Sequence, residues 1–282
     1  MLLSDFIRTG TAGLSGIYPS PEARGIILML CQERLDVRSY THIIEPQHEI
    51  PPSALPGLED DLKRLMTGEP IQYVLGYSDF CGHRFHVSPS VLIPRPETEQ
   101  LVGEAVSFIR SKEGPCRVLD LCTGSGCIAW SVFLEAGGTE VVGVDISYAA
   151  LEVARGQFPG PTPKFVSSDV LSGGEGFDEG TFDLLLCNPP YVMESEKPAM
   201  RSNVLDFEPG PALFVPDSDP LLFYRAVAVW AGRLLRPGGL GIVEINESLA
   251  PRTEAVFREA GYEKTEIVRD FFSKDRFVKF SH

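Results

Sequence analysis

The sequence predicts an α/β protein: a doubly wound, mostly parallel sheet with an antiparallel strand near the C-terminus, preceded by a small helical N-terminal domain and a linking β-hairpin. Three observations predict it. From Arg117 onward, near-continuous apolar runs alternate with helical stretches, the pattern of strands covered on both faces. A glycine-rich turn, Cys122-Thr123-Gly124-Ser125-Gly126, separates the first of these runs from a helix. The last two apolar runs lie close enough together to be joined without a helix, which calls for an antiparallel pair.

The elements follow in chain order. The first seventy or so residues read as helical. Ser20-Pro21-Glu22 is a helix start, with Ser20 as cap, Pro21 at the first helical position and an acid in the first turn. The apolar run Ile26 to Leu30 continues it, and the pattern fades after Leu35. A second helix is expected from Leu58 through Met66, ended by Gly68. Pro46, Pro51, Pro52 and Pro56 break the chain between the two. Phe80 to His83 and Phe85 to Val87 read as short strands around a turn. A proline-punctuated stretch from Pro89 to Thr98 then leads to a helix over Glu99 to Ile109.

Strands are predicted at Arg117–Leu121, Val141–Asp145, Lys164–Val166, Phe182–Cys187, Leu240–Ile245, Thr265–Val268 and Phe277–Phe280. Helices are predicted at Ile128–Glu135, Tyr148–Arg155, Leu222–Leu235 (ended by Pro237-Gly238-Gly239) and Ala250–Ala260 (capped by Gly261). The expected domains are residues 1–75, helical; 76–93, the hairpin linker; and 94–282, the sheet domain.

The 282 residues carry a net charge of −14. Such a chain repels phosphate backbones, so no stable nucleic-acid binding is expected, and a basic partner suits it better. None of its six cysteines forms a Cys-x-x-Cys pair, and no zinc-ligand spacing occurs, so no metal is expected and the thiols read as reduced. No apolar stretch approaches a membrane span, and Met1 to Gly10 lacks a signal-peptide pattern, so the expected location is the cytoplasm.

The glycine turn supplies a tight bend and a close backbone approach to a ligand. Asp145 ends the next strand, where an acid can accept ribose hydroxyls. Gly124-x-Gly126-x-x-Ala129 also satisfies the loose dinucleotide fingerprint, so these residues alone leave a nicotinamide enzyme open. Asp120 either braces the turn or meets the ligand. Asp169 either meets the adenine end of a nucleoside or is a plain loop residue.

Asn188-Pro189-Pro190-Tyr191 follows the fourth strand and projects beside the glycine turn. A planar amide or aromatic-amine nitrogen is a poor nucleophile because its lone pair is delocalised. Two acceptors gripping its N–H bonds would fix it in place. Asn188 offers a side-chain oxygen. Pro189 offers a carbonyl held extended by Pro190, and Tyr191 offers a flat face for stacking. With a donor that carries its own positive leaving group, catalysis is orientation and electrostatics. Asn-Pro-Pro alone could be only a turn, but an oxidoreductase reading gives the tetrad no task.

The tetrad and the glycine turn resemble class I methyltransferases acting on exocyclic nitrogens. Gly68-Glu69-Pro70-Ile71-Gln72-Tyr73-Val74-Leu75-Gly76, Leu92-Ile93-Pro94-Arg95-Pro96-Glu97-Thr98-Glu99 and Phe207-Glu208-Pro209 narrow the resemblance to the release-factor glutamine methyltransferases, from about residue 60 to the end. The resemblance implies a Rossmann-like methyltransferase fold using S-adenosylmethionine, held by Cys122, Thr123, Gly124, Ser125, Gly126, Asp145, Asp169, Val170, Thr98 and Asn188. It implies that Asn188, Pro189, Pro190 and Tyr191 hold the glutamine of the Gly-Gly-Gln loop of class 1 release factors. Arg95, Glu97 and Thr98 would border the cofactor pocket, and Arg95 and Glu208 the substrate. Read physically, Arg95 is equally a clamp on neighbouring acids and Glu208 equally a brace. Cys122 departs from the family, where many members have glycine; Val170 departs where some have an aromatic. The helical N-terminal domain is then a docking arm for the release factor, or a stabilising lid. The alternatives are a methyltransferase of nucleic-acid exocyclic amines (adenine N6 or guanine N2), a non-catalytic nucleotide-sensing module, and a dehydrogenase.

Overall fold

In the computed structural model, which describes every residue from Met1 to His282, the chain forms two compact units. One is Met1–Gly76 with Arg201–Phe207; the other is Tyr77–Met200 with Glu208–His282.

The first unit holds helices α1 (Leu3–Gly13), α2 (Ser20–Leu35), α3 (Thr41–Ile44), α4 (Leu55–Met66) and α5 (Ile71–Leu75), joined by α9 (Ser202–Leu205) from later in the chain. Phe6 and Ile7 of α1, Ile27 and Leu30 of α2, and Leu58 and Leu65 of α4 share one apolar core. Two start signals differ from expectation. Ser20 is the first residue of α2, Pro19 takes the cap position, and no side chain bonds the free amides there. Pro56 does not break the chain but stands in the first turn of α4, where the missing N–H has no helical partner to lose. The short helix α5 was not expected; Pro70 leads into it and left-handed Gly76 ends it.

The second unit opens with a hairpin, β1 (Tyr77–Phe80) and β2 (His83–His86). Cys81 and Gly82, expected in a strand, are its two-residue turn, with φ of 48° and 73°. After α6 (Glu99–Ser111) come β3 (Arg117–Leu121), α7 (Cys127–Glu135), β4 (Glu140–Asp145), α8 (Tyr148–Arg155), β5 (Lys164–Ser167) and β6 (Phe182–Cys187). A two-stranded parallel pair, β7 (Val192–Met193) and β8 (Phe214–Val215), precedes α10 (Leu222–Leu234), β9 (Leu235–Glu244), α11 (Ala250–Glu259), β10 (Lys264–Arg269) and β11 (Asp275–Ser281). Pro237-Gly238-Gly239 does not terminate α10 as expected. It lies inside β9, where the pairing with β6 shifts register, and such an irregularity accommodates a proline.

The seven-stranded sheet has the order β10-β11-β9-β6-β3-β4-β5, with only β11 antiparallel to its neighbours. Val118, Leu184 and Leu186 pack one face against Leu101 and Trp130. Leu119, Leu121, Leu185 and Cys187 pack the other against Val227 and Trp230. Both faces are therefore covered by apolar contact, and ligand chemistry is left to the carboxyl edge. The strand order reverses beside β3, so the crevice at that edge opens over β3 and β6.

Candidate active site

A cavity of about 370 Å³ lies at this carboxyl edge, within the usual size range of small-ligand sites. Its wall includes Arg95, Thr98, Cys122, Thr123, Gly124, Ser125, Asp145, Asp169, Val170, Asn188 and Pro190. Most of the sequence-predicted residues are thus brought together by strand ends far apart in the chain.

The glycine turn is built on left-handed backbone: φ is 58° at Cys122, 55° at Gly124 and 78° at Gly126. The Thr123 amide donates to the Val144 carbonyl at 2.9 Å and the Gly126 amide to the Thr123 carbonyl at 2.8 Å, which tie the turn to β4 and close it. Gly126 is fixed from behind, because a Cβ there would meet Ala154 and Phe165 at 3.0 and 3.1 Å. Gly124 differs: its only neighbour within reach is its own turn, the Cys122 carbonyl at 4.0 Å, so this stretch of backbone faces open space.

Asp145 holds the turn from the neighbouring strand. Its Oδ2 accepts from the Gly124 amide and its Oδ1 from the Ser147 amide, each at 2.9 Å. Each oxygen keeps a further lone pair for a ligand hydroxyl. Burial raises its carboxyl above the usual range, against the backbone amides of Ser147, Gly124 and Ile146. Asp120 is enclosed behind the turn; its Oδ2 accepts from Thr123 Oγ1 at 2.5 Å, and burial pushes its carboxyl up to about 7. It braces the turn and does not reach the cavity wall. Asp169 accepts the Leu171 amide at 2.8 Å and caps the single turn Val170–Ser172 while also facing the cavity.

At the other end, Asn188 leaves β6 beside Thr98. Asn188 Nδ2 donates to Thr98 Oγ1 at 3.4 Å, and Thr98 Oγ1 donates to Glu244 Oε2 at 2.7 Å. The second oxygen of Glu244 accepts the Tyr191 hydroxyl at 2.9 Å. Neither Asn188 Oδ1 nor the Pro189 carbonyl accepts a bond from another residue. Asn246 Nδ2 donates to the Tyr191 carbonyl at 3.2 Å and to Glu196 at 2.8 Å, fixing the backbone past the tetrad. Burial, and then the Glu244 carboxylate beside it, holds the Tyr191 phenol protonated.

Five expected site residues do not reach the cavity wall, Glu97 among them. Gly126 sits behind the turn, Pro189 is buried, and Tyr191 points its hydroxyl at Glu244. Glu208, expected at the substrate, is a brace: Oε1 accepts from Arg95 Nη2 at 2.5 Å and Oε2 from the Ile93 amide at 3.1 Å. That clamp aligns Arg95, which does line the cavity. Sequence reasoning missed Glu244, although a lone acid at the carboxyl end of the otherwise apolar run Gly241-Ile242-Val243 was a readable signal. It also missed Ile146, which lines the cavity beside Asp145 and is 63% exposed, a large apolar surface left for a ligand to cover.

A profile described as the PrmC N-terminal domain matches residues 5–76, and one described as the methyltransferase small domain matches residues 106–205. A release factor glutamine methyltransferase of Bacteroides thetaiotaomicron is 40% identical over 94% of this chain and 95% of its own length. The chain belongs to the release factor glutamine methyltransferase family. A second member, from Flavobacterium psychrophilum, is 31% identical over 99% of both chains. A solved protein-(glutamine-N5) methyltransferase of Alicyclobacillus acidocaldarius is 29% identical, covering 70% of this chain and 98% of its own at a TM-score of 0.41. Family membership rests on the two full-length relatives. No helix of this family member is long and apolar enough to cross a membrane.

Proposed function

We propose that this chain transfers a methyl group from S-adenosylmethionine to the side-chain amide nitrogen of the glutamine in the Gly-Gly-Gln loop of class 1 release factors. The observation that carries the reading is the unengaged side-chain oxygen of Asn188, a residue of the cavity wall, with the unengaged Pro189 carbonyl next to it in the chain. Asn188 Oδ1 and the Pro189 carbonyl have no partner in the chain, and a primary amide has two N–H bonds to give. The full-length relatives are named for this activity.

The cavity residues fit the cofactor. The turn at Gly124 faces open space, so backbone can lie directly against a ligand. Asp145 retains acceptor capacity for ribose hydroxyls, and exposed Ile146 and buried Val170 offer apolar surface to a purine. Cys122, Thr123, Gly124, Ser125, Asp145, Asp169, Val170, Thr98 and Asn188 would hold it, with Gly126 closing the turn behind. When bound, it supplies a methyl carbon made electrophilic by the adjacent sulfonium charge.

The chain supplies orientation. Asn188 Oδ1 and the Pro189 carbonyl accept the two amide protons, which fixes the plane of the glutamine amide and turns its nitrogen toward the cavity. Their partial negative charges stabilise the positive charge that grows on that nitrogen; the thioether S-adenosylhomocysteine would leave, and the nitrogen would lose one of its two protons to solvent to give the neutral N-methyl amide. Pro190 restrains Pro189, and Arg95, locked by Glu208, sets a cation on the cavity wall. The helical first unit serves in this reading as the docking arm for the release factor, an acidic chain meeting a basic partner.

The test is transfer of labelled methyl to purified unmethylated release factor, beside total tRNA, ribosomal RNA and DNA. Label on the release factor that disappears with Gln→Ala in its Gly-Gly-Gln loop, and with Asn188→Ala, is the expected result. Label on nucleic acid alone would replace the substrate with a base amine.

A further inference from the structure

Glu244 carries a carboxyl group that is 1% exposed and absent from the cavity wall; burial raises its pKa, and the bonds from Thr98 and Tyr191 and the Arg276 charge act against that rise and favour the carboxylate. Burying a carboxylate costs free energy that its partners must offset. Its two oxygens are committed to two hydroxyls, Thr98 Oγ1 at 2.7 Å and Tyr191 OH at 2.9 Å. The arrangement fixes a direction. A hydroxyl has one proton. With the Thr98 proton given to Glu244, the Thr98 oxygen can only accept from Asn188. The group of Asn188 that faces it must then be the amide NH2, at 3.4 Å. The opposite group, Oδ1, is thereby turned to the cavity as an acceptor.

We propose that Glu244 is a positioning residue that sets the polarity of the Asn188 amide through Thr98, so that the enzyme presents an acceptor and not a donor to its substrate. The inference deepens the methyl-transfer reading above and rests on it only for the identity of the acceptor. Without the Glu244 carboxylate, the Thr98 proton is free to donate to Asn188 Oδ1. The amide can then turn over and aim N–H at the substrate N–H. An amide acceptor is repelled by that arrangement, whereas a carboxylate in its place is welcomed. Glu244 is thus also a specificity element, favouring glutamine over glutamate at a position it does not touch. Through Tyr191 the same carboxylate holds the last residue of the tetrad, so one buried acid orders both ends of it.

The experiment uses Glu244→Met, which keeps the length of the side chain and removes both acceptors, with Thr98→Val as a second route to the same loss. Three readouts are taken on the full chain: methyl transfer to release factor, binding of Gly-Gly-Gln against Gly-Gly-Glu peptides with S-adenosylhomocysteine present, and the side-chain amide signals of 15N-labelled Asn188. Either variant should lower kcat about tenfold or more, the consequence of one lost or reversed hydrogen bond in a closed site. The preference for the glutamine peptide should fall by a similar factor. The Asn188 amide protons should lose their Thr98 partner and shift. The losses in the double variant should not multiply, because both changes break one chain of bonds. If Glu244→Met fails to fold, Thr98→Val decides the matter. Folded variants with wild-type kcat, peptide preference and Asn188 signals would overturn the proposal. Wild-type protein that never labels release factor would instead overturn the acceptor assignment. In that case the Asn188 signals still decide whether Glu244 fixes its orientation.

Discussion

Gly143 lies in the middle of β4, and replacing it with alanine should damage both stability and cofactor binding. A Cβ there would lie 2.7 Å from two carbons of the Phe165 ring and 2.8 Å from Thr123 Oγ1. Carbon–carbon contact is comfortable at about 3.5 Å, so the ring would have to yield roughly 0.8 Å. It has little room, because it also packs beside Trp130 and against Gly126. Thr123 cannot swing away without giving up its bond to Asp120. Overpacking of this kind costs about 1–3 kcal/mol, and with both neighbours tied the upper end is expected. At about 2–4 °C per kcal/mol for a chain of this size, the melting temperature should fall by roughly 6–12 °C. Displacing Thr123 also displaces the turn, and S-adenosylmethionine affinity by calorimetry should drop about tenfold or more. Gly103→Ala is the control. Gly103 is exposed within α6, nothing lies near its Cβ position, and alanine there should stabilise by about 0.5–1 kcal/mol. Equal melting temperatures for the two variants, or undiminished affinity in Gly143→Ala, would refute the packing argument.

Cys122 occupies a left-handed backbone position, so Cys122→Gly should be more stable than Cys122→Ala by about 1 kcal/mol in paired thermal melts, since only glycine relieves the conflict. Arg95→Met should cost about 2 kcal/mol in urea melts, because it leaves the buried Glu208 carboxylate with only the Ile93 amide; the one-third exposure of Arg95 keeps the loss below that of a fully buried pair, and adding Glu208→Gln should recover part of it. The Asp120 carboxyl is pushed up to about 7 by burial, so between about pH 4 and that value the folded chain binds a proton that the unfolded chain has released. Its contribution to stability therefore falls as pH rises through that window, by at most about 1.4 kcal/mol per unit. Asp120→Asn should show a flatter dependence, its melting temperature gaining on wild type between about pH 5 and about pH 8, and a parallel pair of curves would contradict the sign.

The strands that carry the site were legible because local rules decide them. Arg117–Leu121 and Phe182–Cys187 are buried on both faces, their apolar runs end at the sheet edge, and the residues that follow must lie there. Where expectation and structure part, a non-local or positional effect is responsible. Pro237-Gly238-Gly239 has the composition of a helix stop, yet pairing with β6 draws it into a strand through a register shift. Cys81 has strand character, but the two-residue hairpin turn requires left-handed residues at Cys81 and Gly82. Segment Arg201–Phe207 belongs to the helical unit by long-range contact that no periodicity announces; its Arg201 pairs with Glu22 at 2.6 Å.

The acids show where residue type stops being informative. Asp120, Asp145, Glu208 and Glu244 all carry carboxyl groups into the neighbourhood of one cavity; the sequence singles out Asp145 by its strand end but leaves Asp120 and Glu208 open between brace and ligand contact and gives Glu244 no role. Counting partners separates them. Glu208 spends its oxygens on Arg95 and the Ile93 amide, and Glu244 on two hydroxyls. Asp120 is enclosed, with the Thr123 hydroxyl as its side-chain partner. Asp145 alone lines the cavity, with each oxygen bonded once and a lone pair to spare. Of these four, one is therefore free to meet a ligand, as is Asp169 on the same wall, and the other three fix the groups that do: the glycine turn, the Arg95 guanidinium and the Asn188 amide. A catalyst that works by orientation needs such bracing, because every donor or acceptor it aims must itself be held from behind.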